Sequence, residues 1–198
     1  MSTAILDAPP VILWPTHRLV KAEELMNHPE WGPCELVRGK VIPVCRPLNE
    51  HGLLVHRMSV RVGNFVEKHN LGRCFTGDSG VFLERDPDTV RGPDFHFVRA
   101  DRWPGKEALK SYLTVAPDLC VEIISLNDNH KDLEQKISEY QAFGVKRVWV
   151  IDPKSCTARV YRGDVKRPEI IPAAGSLSGE DILPGFELTL KDLFAALD

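Results

Sequence analysis

The sequence predicts an α/β fold with a central mixed β-sheet flanked by helices, and three stretches carry that expectation. Asp118–Ser125 is an almost unbroken apolar run, as a strand covered on both faces requires. A helical pattern over 130–143 and a second apolar run, Arg147-Val-Trp-Val-Ile, follow directly, which makes a strand–helix–strand crossover with a parallel strand pair. A long amphipathic helix over 48–70 then supplies a layer for the opposite face.

Taken in order, residues 1–15 contain Pro9, Pro10 and Pro15 without a clear period and read as an extended N-terminal arm that packs on a partner subunit or hangs free. Residues 16–198 are expected to form one domain. Thr16 opens a segment with Leu19, Val20, Ala22, Leu25 and Met26 at helical spacing, ending near Pro29. Cys34–Val37, the turn Arg38-Gly39 and Lys40–Val44 form a β-hairpin.

In the long helix Leu54, Met58, Val62, Phe65 and Val66 recur three and four apart, and Gly72 follows as a stop. Strand-like runs come next at Cys74–Glu84 and Asp94–Val98, separated by the Arg85-Asp-Pro-Asp turn cluster. Asn127, Asp128 and Asn129 supply caps for the crossover helix and Gly144 ends it. Ala158–Arg162 reads as an antiparallel return strand, and Thr189 caps a short C-terminal helix.

The chain is 43% hydrophobic and 27% charged, an ordinary balance for a folded domain. Its formal net charge of -3 gives no global attraction to phosphate backbones, so nucleic-acid binding would need a local basic patch. Lys131, Lys146 and Arg147 are candidates for one, although such clusters are usually solvated. Five cysteines without a Cys-x-x-Cys pair suit a reducing cytoplasm, and no apolar run nears the ~20 residues of a membrane helix. Phosphate-binding and dinucleotide glycine loops, a Gly-x-Ser-x-Gly elbow and zinc ribbons are all missing from the sequence.

Three residues carry the chemistry. Glu122 lies inside the doubly covered strand, where an ionised carboxylate costs several kcal/mol, roughly, unless a cation or hydrogen bonds compensate. Alternation puts Cys120, Glu122 and Ile124 on one face and Leu119, Val121 and Ile123 on the other. Taken alone, Glu122 fits equally well as a strand-end acid reaching solvent or an arginine. Asp94 follows Gly92-Pro93 at a strand mouth, where an Asp is often a plain turn residue and where Asp86 and Asp88 compete for the same role. Lys136 falls on the apolar stripe of the crossover helix with Leu133, Ile137 and Tyr140, so it is aimed at the sheet unless its ammonium snorkels past the helix edge.

Two carboxylates and a lysine are what phosphodiester hydrolysis needs: the acids hold a divalent ion with hard oxygen ligands, and the amine offsets transition-state charge. His51, at the start of the long helix, and Glu35, in the first hairpin strand, are accessory candidates.

At this point the sequence resembles the Uma-type endonucleases, a bacterial family of the PD-(D/E)XK nuclease superfamily. The matching stretches are Glu35-Leu-Val-Arg-Gly-Lys, Pro47-x-x-x-His51, Gly92-Pro93-Asp94, Ala116 to Ser125, Lys136-Ile-Ser-Glu-Tyr140 and Trp149-Val-Ile-Asp-Pro153. The resemblance implies a restriction-endonuclease-like fold and a Mg²⁺- or Mn²⁺-dependent nuclease acting on DNA as a homodimer. It makes Asp94 and Glu122 the two acidic motifs and assigns the metal to Asp94, Glu122 and Ile123, the last with only main-chain oxygen to offer. The superfamily's lysine normally stands two residues after the second acid, yet position 124 is isoleucine, so Lys136 from the following helix takes that part. A non-catalytic nucleic-acid or partner-binding module, or a hydrolase for a small phosphodiester, are the competing readings.

Overall fold

The computed structural model describes residues 14–126 and 128–197. In chain order the elements are α1 (Ala22–Met26), β1 (Cys34–Val37), β2 (Lys40–Pro43), α2 (Asn49–Lys68), β3 (Gly72–Thr76), β4 (Val81–Glu84), β5 (Thr89–Arg91), β6 (Phe95–Arg99) and β7 (Leu119–Ile123). They continue with α3 (His130–Phe143), β8 (Arg147–Asp152), β9 (Thr157–Arg162), β10 (Glu169–Ile171), β11 (Ser176–Ser178), β12 (Glu187–Thr189) and α4 (Leu190–Phe194).

A six-stranded sheet of order β10-β9-β8-β7-β6-β3 forms the centre. Its β7–β8 pair is parallel and the other pairs are antiparallel. This is the mixed sheet flanked by helices that the sequence predicts. Alternation along β7 divides its side chains as expected. Leu119, Val121 and Ile123 join Leu54, Met58, Val62 and Val66 of α2 and Leu193 and Phe194 of α4 in one apolar cluster. On the other face Cys120, Val148 and Val150 meet Leu133, Ile137 and Tyr140 of α3.

The caps explain where α3 begins and ends. Asn129 Oδ1 accepts the Lys131 N–H at 3.0 Å, and Gly144 closes the helix in the left-handed region at φ 99°. Asp128 accepts the Ser125 N–H at 2.7 Å, while Asn127 lies outside the described residues. Thr189 caps α4 through the Asp192 N–H at 3.0 Å, as read from the sequence.

The N-terminal half departs from expectation in three places. The helix expected from Thr16 is only the five residues of α1. Val20 is already committed to a backbone bond to Gly39 of the hairpin turn, and Asp88 reaches across to take the Ala22 N–H at 2.9 Å. The run Cys74–Glu84 is two strands in two sheets, because Gly77 and Asp78 both adopt positive φ, 70° and 58°, and turn the chain away from β6. β4 then joins β5, to which the sequence assigns no element after the Arg85–Asp88 turn cluster, in a four-stranded sheet of order β2-β1-β5-β4. Residues 1–13 of the expected arm lie outside the described residues; Trp14 packs on this chain itself, donating to the Trp31 carbonyl at 3.0 Å.

Candidate active site

The two sheets meet over the α3 face of β7, and the polar side chains there come from five elements. Lys136 reaches down from α3 and places Nζ 3.1 Å from Glu122 Oε2 and 3.2 Å from Glu35 Oε1. It does not snorkel: its side chain is 19% exposed. One helical turn on, the Tyr140 hydroxyl donates to Glu122 Oε1 at 2.6 Å, so both oxygens of that carboxylate are held from a single helix face.

Glu35 is held from the opposite side. Arg91 of β5 donates to its Oε2 at 2.7 Å and bonds Glu139 of α3 at 2.6 Å, and the Gly92 N–H reaches its Oε1 at 3.1 Å. Gly92 has a packing reason to be glycine, since a Cβ there would lie 2.8 Å from the Asp78 carbonyl oxygen.

Asp94 sits at the entry to β6. Its Oδ2 accepts the main-chain N–H of Ile123 at 2.6 Å and faces His51 Nε2 at 3.1 Å. That bond fixes Asp94 beside the C-terminal end of β7, next to Glu122. Ile123 itself joins the site through its main chain alone, its side chain being buried in the α2 cluster.

The electrostatics follow from burial and crowding. Burial and the neighbouring Asp94 and Glu35 charges push the Glu122 carboxyl up to about 7 despite the pull of Lys136 and Tyr140. Burial works against the Lys136 charge as well, but Glu122, Glu35 and Asp94 outweigh it and hold the ammonium protonated beyond the ordinary lysine range. For Glu35 burial is outweighed by Lys136 and Arg91, which keep its carboxyl below the usual range. His51 is raised because the Asp94 hydrogen bond and charge overcome its burial.

Four carboxylates, Asp94, Glu122, Glu35 and Glu139, thus meet two permanent cations, Lys136 and Arg91. A divalent ion fits that deficit of positive charge, and the donors are all hard oxygens. Among the described residues no three His, Cys, Asp or Glu side chains are spaced to hold a metal together. An ion held there would find two carboxylates, with main-chain and solvent oxygen to complete its shell, the sparse protein coordination that Mg²⁺ accepts.

Other sequence candidates fall elsewhere. Asp88 caps α1, and Asp86 pairs with Lys21. Arg147 lines no basic groove: its side chain is buried and paired with Glu180 and Asp181 at 2.8 Å each. Lys146 pairs with the buried Asp118. The Tyr140 hydroxyl, Arg91 and Glu139 went unnoticed as site residues. Tyr140 was readable in principle, standing four residues after Lys136 on the same face, whereas the Arg91 contacts depend on the second sheet.

The family model described as “Putative restriction endonuclease”, Uma2, matches residues 22–191. The chain belongs to that family. The six-, four- and two-stranded sheets and all the residues of the site fall within the Uma2 match. A crystal structure from Anabaena variabilis, titled a “putative nuclease”, superposes with a TM-score of 0.78 over 90% of this chain and 99% of that one, at 23% identity. That likeness shows the fold, which is restriction-endonuclease-like. No curated protein matches the chain.

Proposed function

We propose that this Uma2 protein is a metal-dependent endonuclease that hydrolyses phosphodiester bonds in DNA. Asp94, Glu122 and the main chain at Ile123 would hold a Mg²⁺ or Mn²⁺ ion, whose chemistry when bound is to polarise a phosphate oxygen and acidify a water. The single observation that carries the reading is the Lys136 ammonium, held between Glu122 and Glu35 at the strand end that Asp94 also reaches. A buried, paired cation fixed on a helix is placed to stabilise negative charge developing on a phosphoryl group without reorganising.

The other residues orient. Tyr140 locks the Glu122 carboxylate, Arg91 holds Glu35 against Lys136, and the Ile123 N–H with His51 sets the Asp94 rotamer. A homodimer that cuts two strands is part of the proposal.

The binding-module reading draws support from one feature: both Glu122 oxygens already have protein partners. Nicking of supercoiled plasmid separates the two. With Mg²⁺ or Mn²⁺ the wild type should nick, Asp94→Ala and Glu122→Ala should each abolish the activity, and Lys136→Ala should slow it about 10²–10³-fold, the scale of a lost charge-stabilising donor. Activity that survives both acid substitutions refutes the nuclease assignment, and DNA binding with no turnover at any metal concentration supports the binding module.

A further inference from the structure

Beside the catalytic cluster lies an open cavity of about 670 Å³, a size typical of sites for small organic ligands. Its lining residues neighbour the active-site segments along the chain in three places. Cys34 lines the cavity and adjoins Glu35. Ser79 and Gly80 line it and follow Asp78, which packs on Gly92. His96 of β6 lines it and stands two residues after Asp94 in sequence.

The cavity's chemistry is specific. One wall is a column of rings, with His96 against Phe75 at 4.9 Å and Phe75 against Trp103 at 5.5 Å, the planes within 18° and 25° of parallel. Tyr112 also lines the cavity, its ring lying against Gly80, where a Cβ would come within 2.3 Å. Beside Cys34 and Tyr112, the polar side chains are few: His28, Ser79, His96, Lys110 and Ser111.

His96 is 1% exposed, and its Nδ1 has no hydrogen-bond partner among the described residues. Buried polar atoms are rarely left so, and each one calls for an explanation. An imidazole stacked among aromatic rings suits a planar, hydrogen-bonding ligand. Positive charge comes from Lys110 in the lining and from the Arg73 guanidinium, 5.2 Å from the Trp103 ring centre, where a phosphate attached to such a ligand could meet it.

We infer that this cavity is a nucleobase pocket, taking a heterocyclic base between its aromatic walls while the attached phosphate stays outside. The inference rests on the nuclease reading in one respect: a base unstacked from the strand being cut is the nearest source. A free nucleotide offers the same chemistry.

The test needs no catalysis. In EDTA, the full chain is titrated with a short labelled DNA strand, with an abasic strand of equal length, and with deoxynucleoside monophosphates. The base-bearing strand should bind about tenfold or more tighter than the abasic one, the scale of aromatic–base stacking. Trp103→Ala, which removes a wall, and Ala108→Trp, which fills the cavity without removing a packed side chain, should both erase that preference and leave abasic binding unchanged. Asp94→Ala should keep it, so failure of the catalytic assignment and failure of the pocket are told apart. Preference confined to the strand identifies a substrate base as the occupant, and equal affinity for a monophosphate identifies a free nucleotide. Equal binding of both strands by the wild type, a preference that survives both pocket variants, or no binding of any of these probes overturns the inference.

Discussion

The two faces of the central sheet are built from the same strands yet to different ends. Beneath α2 and α4 the packing is dominated by apolar side chains, with Trp149, Phe97 and Met58 fully buried. On the α3 side the alternate residues of those strands include Glu122 and His96, and the helix above answers with Lys136 and Tyr140. One face gathers the transfer free energy that keeps the sheet folded, and the other carries polar groups whose burial costs stability. Placing both on one sheet lets a well-packed layer hold a buried polar site rigid.

Breaking the apolar face should have the largest effect on stability. Trp149→Ala is expected to cost about 3–5 kcal/mol in urea unfolding, with little change in nicking per folded molecule well below the melting temperature. Lys136→Ala should approach the same cost, about 3–5 kcal/mol, because it leaves Glu122 buried without a cation and Glu35 with Arg91 alone. Here the two faces separate: adding Glu122→Gln to Lys136→Ala should recover part of the loss, whereas no acid-to-amide change offsets Trp149→Ala. A double-mutant cycle showing strict additivity would remove the coupling on which the site's description depends.

The pH dependence sharpens the contrast. His96 has its pKa depressed by burial, to about 4 from 6.5, so the unfolded chain binds the proton more readily. Its neutral burial therefore contributes stability that is fully present above about pH 6.5 and lost as pH falls toward 4. At about 1.4 kcal/mol per unit the whole window is worth roughly 3 kcal/mol. His96→Phe, which keeps a ring against Phe75, should flatten the stability profile between those pH values; an unchanged profile would show that His96 is not the group responsible. The smallest effect belongs to the periphery, where Thr189→Ala should cost about 1 kcal/mol by removing the α4 cap, read as a shift in denaturation midpoint.

How much of this was legible in the sequence follows the same division. The crossover from β7 through α3 to β8 could be read because a lone acid in an apolar run, an Asn–Gly pair of caps and a lysine on an apolar stripe are all local signals. The division of Glu122 from Ile123 across the sheet needed only strand alternation. The second sheet was hidden: β5 has three residues, β4 follows two positive-φ residues, and no periodicity develops over such lengths. With that sheet went the contacts of Arg91 to Glu35 and Glu139, which are 56 and 48 residues apart in sequence and visible only after folding. The basic groove suggested by Arg147 failed for a related reason, since its acidic partners arrive from residues 180 and 181.

The central claim is that Asp94 and Glu122 share one cation. Calorimetric titration of the purified chain with Mn²⁺ tests it most directly, alongside Asp94→Asn and Glu122→Gln proteins whose unfolding curves confirm that they are folded. The expected result is one ion bound per wild-type chain, with binding lost in each variant. Undiminished Mn²⁺ binding by the two variants would contradict the account and move the metal, if any, elsewhere in the molecule.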